Sequence, residues 1–292
     1  MTINKKNIAP ILFLLIPGLF VYAFFVVYPI LNSGYLSFFS FTNIANKKFV
    51  GFDNYIYVFN NSLFWKSMIN SLKFMFLSTA IQLVVGFTLG YLVYLQVKGY
   101  QCFKVLLFVP TILPGVAVGF IWNKIFSPSM GIAKPIATAL GLGEAFMTPT
   151  ADPTLALYAI ILAQVWCSCG VQIIMFNSGF MALPNEVIES ATLDGAKGWT
   201  MIRRMIIPMS QETIKMVTIL LLVGTLRAFD LVYVMTGGGP NHATEVLPMH
   251  LFVEAFKNFN YGAGSVVAVI IFFLAMFITV VMRRLMKTDS LY

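Results

Sequence analysis

Three acidic residues and a glycine follow one another closely in a sequence that is otherwise poor in charge. Glu186, Glu189 and Asp194 lead up to Gly195. Carboxylates near the start of a helix are stabilised by the positive end of its dipole, so this spacing predicts a short helix with Asn185 as its N-cap. Glycine adopts the left-handed conformation that ends a helix without a steric penalty, so we expect the helix to stop at Gly195.

A second, amphipathic helix is expected directly after this turn. Trp199, Ile202 and Ile206 recur at spacings of three and four, which is the period of one helical face. Pro208 lacks a backbone N–H and so predicts the end of this helix or a kink in it. The whole stretch indicates a helix–glycine–helix elbow between two apolar segments. From its pattern alone, a connector that lies on the lipid surface explains the elbow equally well.

Polar residues within otherwise apolar segments form the second group of candidates. Arg227 and Asp230 are three residues apart, which is close enough to pair on a helix. A lone charge at the centre of a bilayer costs roughly 2.5–3.5 kcal/mol on insertion scales, so we expect these residues either to pair or to face a wet cavity. Hydrogen bonds between helices are the alternative role for the uncharged candidates. Those candidates are Trp166, Gln172, Asn177 and Tyr233.

Enzyme chemistry within this chain is not expected. The sequence has no Gly-x-x-x-x-Gly-Lys-Ser/Thr phosphate loop, and its histidines, His242 and His250, occur in one loop without a nearby cysteine cluster. The three cysteines predict neither a disulfide framework nor a metal site. If ATP energises this protein, we expect the nucleotide to bind to another chain.

The composition of the chain indicates a membrane environment. Of its 292 residues, 59% are hydrophobic and only 10% are charged, whereas soluble domains carry about 25% charged residues. The net charge of +8 is scattered at the ends of apolar segments and forms no basic run that would suggest nucleic acid. We therefore predict an all-α integral membrane protein without a nucleic-acid partner.

Six apolar segments are long enough to cross a bilayer, which takes about 20 residues. Lysine and arginine are more frequent in the loops on the side of the N-terminus, so both termini are expected in the cytoplasm. The first segment follows Lys5 and Lys6 and is longer than a signal-peptide core, which indicates an uncleaved anchor. Pro110 and Pro114 predict a kink in the third segment. The segments are residues 9–31, 71–96, 105–126, 154–178, 212–236 and 264–284.

The elbow resembles the "EAA" loop of ABC importer permeases. The similarity rests on Glu189-Ser190-Ala191, Asp194-Gly195-Ala196 and Ile206-Ile207-Pro208. Gly195 follows Glu189 by six residues and Pro208 follows it by nineteen, as in that family, whereas Ser190 replaces the middle alanine of the pattern. The resemblance implies a type I ABC importer permease (MetI-like) fold with six transmembrane helices and a cytoplasmic coupling helix between helices 4 and 5.

The same resemblance implies a role for the elbow. Its short helix would dock in a groove of a cytoplasmic ATPase, where Glu189 is available to a basic residue and Gly195 supplies the bend of a rigid lever. ATP and Mg would bind to that ATPase, and no cofactor is expected in this chain. The residues expected to couple the two proteins are Glu186, Glu189, Ala191, Asp194, Gly195, Ala196 and Pro208.

Three further stretches, residues 51–55, 103–110 and 229–240, resemble the maltose and multiple-sugar branch of these permeases. The last stretch ends in Thr-Gly-Gly-Gly-Pro and looks like the first of the two permease subunits. The resemblance implies a second permease subunit, an ATP-binding cassette ATPase dimer, an extracytoplasmic sugar-binding protein and the bilayer as partners, in the inner or plasma membrane of a bacterial cell. Trp166, Gln172 and Tyr233 would then offer hydrogen-bonding groups and aromatic faces to a sugar.

The resemblance also implies a division of the chain into three regions. Residues 1–66 would form an N-terminal transmembrane anchor and outer loop, and residues 67–284 the permease domain, with the elbow at 184–208. Residues 285–292 would form a cytoplasmic tail.

Other functions predict other features. Glycerol-phosphate or another polyol fits the same architecture, but a phosphate ester favours a basic cavity, and Arg227 is the only basic residue deep in a span. A secondary transporter needs titratable residues at the midplane, for which Asp230 is the only support. A membrane-embedded scaffold or enzyme predicts a catalytic polar cluster at one membrane face, and the sequence contains none. We therefore expect a permease subunit of a sugar importer.

Overall fold

The computed structural model of the chain describes residues 8–42, 46–127, 129, 131–141 and 148–286. Lys5, Lys6 and most of the predicted C-terminal tail lie outside these residues. Within them the regular structure is helical apart from one short antiparallel ladder, in which β1 (Phe39–Ser40) pairs with β2 (Lys48–Phe49). The predicted all-α class is confirmed.

Four described helices are long and apolar enough to cross a membrane. There are up to six spans if each of two bent helix pairs counts as one, namely Tyr100–Ile112 with Gly115–Ile125 and Gly198–Met209 with Gln211–Leu226. The first runs through α1 (Ile8–Tyr22), a π-helical turn (Ala23–Val27) and α2 (Tyr28–Leu36), past the predicted end at residue 31. The other three are α4 (Ser62–Tyr94), α8 (Ala156–Met181) and α15 (Tyr261–Leu285). Short helices between the spans are α3 (Asp53–Asn60), α7 (Ala133–Ala139) and α14 (Leu247–Phe252), together with a 3₁₀ turn (Pro149–Ala151) and a π-helical turn (Val253–Lys257).

The third predicted span is broken far more sharply than a kink. It consists of α5 (Tyr100–Ile112) and α6 (Gly115–Ile125), whose axes differ by 104°. Leu113 precedes Pro114 and has an extended backbone, with φ −73° and ψ 137°. The ring of a proline disfavours the helical conformation in the residue before it, which explains why the break falls here.

The fifth predicted span, residues 212–236, is also interrupted. Its main helix, α12, covers Gln211–Leu226, and the chain resumes helical structure only in α13, Asp230–Met235. No proline lies in this second break, where Phe229 has φ −129° and ψ −52°. The prediction of one continuous helix is therefore wrong at residues 227–229.

The described residues form two compact units. The first comprises the described residues within Met1–Ser62 and His250–Phe273, and the second comprises those within Leu63–Met249 and Leu274–Tyr292. This grouping reflects contacts and differs from the sequence regions expected above, which stay a prediction.

In the first unit, Asn54 joins the end of α2 to the small β ladder. Its amide nitrogen donates hydrogen bonds to the carbonyl oxygens of Ser37 (2.8 Å) and Phe39 (2.9 Å). The hydroxyl groups of Tyr55 and Ser37 are also hydrogen-bonded, at 2.8 Å. Residues 51–55, which suggested the carbohydrate branch, therefore hold together the turn that follows the first span.

In the second unit, α4 and α8 pack closely through two glycines. A Cβ atom built on Gly86 would lie 2.6 Å from the Cβ atom of Gln172, and one built on Gly90 would lie 2.8 Å from the Cβ atom of Phe176. These residues belong to a Gly-x-x-x-Gly motif, whose small residues let two membrane helices approach closely. One turn earlier, the hydroxyl of Ser168 donates to Oε1 of Gln82 at 2.7 Å. The helices therefore run in the same direction with matching steps of four residues.

Candidate functional site

The predicted elbow is present between α8 and α12. It consists of α9 (Asn185–Leu193), α10 (Gly198–Met201), a π-helical turn (Ile202–Ile206) and α11 (Ile207–Met209). Gly195 has φ +87°, as expected for the residue that ends α9. The N–H of Gly195 donates to the carbonyl of Thr192 (3.0 Å), and that of Ala196 donates to the carbonyl of Ala191 (2.9 Å). This pair of hydrogen bonds is a Schellman motif, and the predicted stop at Gly195 is confirmed.

The start of α9 differs from the prediction. Asn185 is the first helical residue, and Pro184 occupies the N-cap position without any side-chain cap. The carbonyl of Pro184 accepts the first helical hydrogen bonds, from Val187 (3.2 Å) and Ile188 (3.4 Å). Because Pro184 already has an extended backbone, Asn185 falls one position too late to act as the cap. Glu186 lies in the first turn, as expected.

The bend in the second half of the elbow does not fall at Pro208 itself. Pro208 follows a π-helical turn and lies inside a helical run that extends from Gly198 to Met209. The turn just before it is π-helical, and the N–H of Ile207 donates to the carbonyl of Ile202, five residues earlier. The chain then bends by 73° between Met209 and Gln211. The predicted kink therefore falls at Ser210, two residues after Pro208.

The apolar side of the elbow belongs to the core of the second unit. Ala191, Met201 and Ile206 are buried in one cluster with residues from α8 and α12. Ile206 is only 1% exposed. The residues that it joins in the cluster are Phe176 and Phe180 of α8 and Val217 and Leu221 of α12. The elbow is therefore fixed to the ends of two long helices by hydrophobic packing.

The opposite side of α9 faces outwards. We call Glu186, Glu189, Leu193 and Asp194 the elbow tip, because all four are exposed and Leu193 is 89% exposed. In the described part of the chain, no ion pair involves these three acids. Trp199 is 69% exposed and does not share the buried face of Ile206, contrary to the predicted stripe. The π-helical turn between Trp199 and Ile206 changes the helical period and so explains this difference.

The remaining coupling candidates do not lie on the elbow tip. Ala191 is buried, Ala196 and Pro208 are half-buried, and Gly195 is exposed at the turn. Ala196 also packs against the buried cluster that holds Ala191. The structure thus divides the predicted coupling residues into an exposed set and a set that supports it.

Two of the pathway candidates are buried within the second unit. Gln172 is 7% exposed and Asn177 is 8% exposed. Gln172 packs against Gly86, and the backbone N–H of Asn177 lies near Gly90, so both belong to the contact of α8 with α4. Oε1 of Gln172 is buried without a hydrogen-bond partner.

The charged candidates are exposed and unpaired. Arg227 lies at the end of α12 and Asp230 at the start of α13, and the break between them removes the helical geometry that would pair residues three apart. Among the ion pairs of the described residues, none joins Arg227 to Asp230. The pairing alternative is therefore wrong; both side chains are exposed in this chain, and the alternative of a wet cavity stays a prediction.

The aromatic candidates lie near the two helix breaks. Trp166 is 37% exposed and meets Trp122 of α6 edge-to-face, with ring centres 5.9 Å apart. Tyr233, in α13, is 46% exposed and stacks on Phe229 at 5.4 Å. Trp166, Arg227, Asp230 and Tyr233 are thus exposed, whereas Gln172 and Asn177 are packed inside.

A polar clamp, which was not predicted from the sequence, joins the first half of α4 to the loop after α13. Asn70 donates from its amide to the carbonyls of His242 (3.3 Å) and Glu245 (3.0 Å). Ser67 donates to the buried carboxylate of Glu245 at 3.3 Å, and this carboxylate also contacts Nδ1 of His242. Ser71 accepts a hydrogen bond from the N–H of Leu247 at 2.7 Å. The spacing of Ser67, Asn70 and Ser71 along one helical face was the signal for this clamp.

The described residues contain no group of three or more His, Cys, Asp or Glu side chains that could hold a metal ion. The candidate site consists of an elbow with a buried apolar side and an exposed tip, and of a set of exposed residues beside two broken helices.

Comparisons with known proteins agree with this architecture. The chain is 30% identical to the multiple sugar-binding transport system permease protein MsmF of Streptococcus mutans, over 94% of each chain. It is 27% identical to the trehalose/maltose transport system permease protein MalF of Thermococcus litoralis, over 92% of this chain and 90% of that protein. A chain in a crystal structure of a bacterial alginate ABC transporter, bound to an alginate pentasaccharide-bound periplasmic protein, superposes with a TM-score of 0.84 at 19% identity. The match covers 98% of each chain.

The structural match confirms the type I importer permease fold that the resemblance implied. Residues 82–288, which include α8, the whole elbow and both broken helices, match a protein family of transport components. Together these findings show that the chain belongs to the family of binding-protein-dependent transport system inner membrane components.

Proposed function

We propose that this chain is the first permease subunit of an ATP-driven sugar importer. In this proposal it forms half of the translocation pathway, and a second permease subunit forms the other half. An extracytoplasmic sugar-binding protein delivers the cargo, and both termini lie in the cytoplasm. A dimer of ATPase subunits binds ATP and Mg, so this chain needs no cofactor and is not an enzyme.

The observation that carries the proposal is the shape of the elbow. Its apolar side is buried against α8 and α12, whereas its tip exposes acids and Leu193. A loop that merely rests on lipid would turn its apolar side to the bilayer, but here Ile206 is packed inside the protein. A tip that is anchored to two long helices can transmit a displacement by a docked subunit into the membrane.

Sugar as the cargo is supported by the relatives and by the exposed side chains. The two relatives compared above are sugar permeases by name. Trp166 and Tyr233 present aromatic faces, which suit the C–H surfaces of a sugar, and Arg227 and Asp230 add hydrogen-bonding groups. The opposite charges of Arg227 and Asp230 give this set no net charge, which favours a neutral cargo over a phosphate ester.

The test uses the chain expressed with its neighbouring genes and purified from membranes in detergent. Gly195→Asp is compared with Gly141→Asp, because both glycines have positive φ, +87° and +78°, and neither has an atom within 4 Å of an added Cβ. The two substitutions therefore impose a similar backbone strain, but only the first distorts the elbow. We expect an ATPase subunit and a second permease to co-purify with the unsubstituted chain and with Gly141→Asp.

ATPase activity stimulated by sugar-loaded binding protein is then measured. We expect Gly195→Asp to abolish the stimulation and Gly141→Asp to retain it. If both variants behave alike, or if the chain purifies without an ATPase subunit, the elbow does not couple transport to ATP.

A further inference from the structure

The first unit contains a crevice between α2 and α15 that no transport role explains. Two cavities of about 670 Å³ and 340 Å³ lie along these helices. Ser33 of α2 and Ala268 of α15 line both cavities, so the two lie side by side along these helices. The crevice therefore consists of two adjacent cavities that share part of their lining.

The wider end of the crevice carries a positive charge and a few polar groups among mostly apolar residues. Asn32, Thr42 and Lys47 line it, and none of its lining residues is acidic. The ammonium group of Lys47 lies 5.4 Å from the ring centre of Phe41, which stacks on Tyr261 at 5.5 Å. Aromatic rings beside a cation are typical of the boundary between the bilayer and water.

The narrower end is apolar. Its lining includes Gly34 of α2 and Val269 and Phe272 of α15, and among the described residues that line it only Ser33 bears a hydroxyl group. From Tyr261 at the wide end to Phe272 at the narrow end, α15 advances about 17 Å, at 1.5 Å per residue. One leaflet of a bilayer has a hydrocarbon depth of about 15 Å, half of the total thickness. The crevice thus extends through about one leaflet.

We propose that this crevice binds one anionic phospholipid, with its phosphate at Lys47 and one acyl chain along Gly34, Ala268 and Phe272. A cationic mouth directly beside an apolar groove matches a molecule that carries a charged head on a hydrocarbon chain. Lipids with a cationic amine in the headgroup are disfavoured, because none of the described residues that line the mouth carries a carboxylate to pair with it. A free phosphate ion would leave the apolar end unfilled.

The test measures lipid binding to the full chain, purified in detergent with the subunits that co-purify. Phosphatidylglycerol or phosphatidylcholine is titrated in, and bound lipid is counted by native mass spectrometry. Lys47→Gln is compared with Lys48→Gln, because Lys48 is adjacent and exposed but does not line the crevice. A second variant, Ala268→Trp, places a bulky side chain at a residue that lines both cavities.

We expect one tightly bound phosphatidylglycerol per chain and weaker binding of phosphatidylcholine. Lys47→Gln should weaken phosphatidylglycerol binding about fivefold, the usual contribution of one lysine near a membrane surface, and Lys48→Gln should leave it unchanged. Ala268→Trp should remove the tight site. Equal binding of the two lipids, equal effects of the two lysine substitutions, or tight binding to Ala268→Trp would each overturn the proposal.

A photo-reactive phenylalanine analogue at Phe272 identifies the occupant directly. Cross-linking to phosphatidylglycerol supports the proposal. Cross-linking to another polypeptide instead of lipid would show that the crevice is a protein interface, and the proposal would then be wrong.

Discussion

Asp230 lies directly against Gly115. A Cβ atom built on Gly115 would be 3.2 Å from Cβ of Asp230 and 3.3 Å from its Oδ2. Each of these residues begins a helix that follows a break, and the two helices stay in contact beyond this point. The amide of Asn123 in α6 donates to the carbonyl of Val234 in α13 at 2.9 Å. The two interrupted spans therefore support each other, since each half-helix packs on the other.

Gly119→Ala should destabilise this pair of half-helices. An added Cβ would lie 2.7 Å from Cγ1 of Val234, so the packing must shift, at a cost of roughly 1–3 kcal/mol. Gly224→Ala is the control, because Gly224 also lies in a helix but has no atom within 4 Å of an added Cβ. Thermal unfolding of the purified protein should show a lower midpoint for Gly119→Ala only. Equal midpoints would show that the contact between α6 and α13 does not contribute to the thermal stability of the protein.

Ile206→Ala should weaken the attachment of the elbow. Ile206 is 1% exposed, and removing a buried isoleucine side chain costs about 2–5 kcal/mol. Ile207→Ala, at the neighbouring and 36% exposed position, should cost much less. Limited proteolysis should cleave the elbow of Ile206→Ala faster than that of Ile207→Ala. Similar cleavage rates would contradict the packing of the elbow onto α8 and α12.

Leu193→Asp should prevent an ATPase subunit from co-purifying without affecting the stability of this chain. Leu193 is 89% exposed, so its side chain contributes little to the fold, but it lies on the proposed docking surface. Leu140→Asp is the matched control, at a 72% exposed leucine outside the elbow. The amount of ATPase subunit retained on the tagged permease is measured. Retention by both variants would mean that docking does not use the elbow tip.

Asn70→Leu should open the clamp on the loop after α13. The hydrogen bonds that its side-chain amide donates to the carbonyls of His242 and Glu245 would be lost. A buried acceptor that is left unsatisfied costs about 1–3 kcal/mol. Hydrogen exchange measured by mass spectrometry should then be faster in residues 241–247. Lys66→Met removes one exposed hydrogen bond to the carbonyl of Asn241 and should have a smaller effect. If both substitutions speed up hydrogen exchange equally, the buried hydrogen bonds of Asn70 stabilise the loop no more than its surface contacts do.

Arg227 and Asp230 should show no energetic coupling. They form no ion pair, so the two substitutions should act independently. The changes in the free energy of unfolding caused by Arg227→Gln and by Asp230→Asn should sum to the change in the double variant within about 0.5 kcal/mol. Chemical denaturation of the three variants gives the coupling energy. A coupling energy well above this limit would show that the two side chains do form the ion pair that the sequence spacing suggested.

The parts of the fold that were predictable depend on local signals. Long apolar runs located the spans, and Gly195 located the end of α9, because glycine conformation is a property of the residue itself. The break at residues 227–229 was not predictable in this way, since no proline or glycine marks it. It coincides with packing of α13 on α6, and such tertiary contacts leave no local pattern.

The candidate site was predicted unevenly for the same reason. The elbow resembled a known motif, so its residues were found together. Gln172 and Asn177 were chosen because they are polar, but polarity alone does not distinguish a residue that faces water from one that packs against Gly86 or Gly90. The motif Gly86-x-x-x-Gly90 was visible in the sequence and would have indicated that this side of α4 meets another helix.

In the Schellman turn of the elbow, the residues that fix the backbone geometry differ from those that form the exposed tip. The hydrogen bonds that end α9 come from the backbone of Gly195 and Ala196, and no side chain of the tip takes part in them. Substitutions at Glu186, Glu189 or Leu193 can therefore alter which surface the elbow fits while its geometry stays the same. During evolution, such a loop can change its partner gradually, one exposed residue at a time, provided that the glycine is kept.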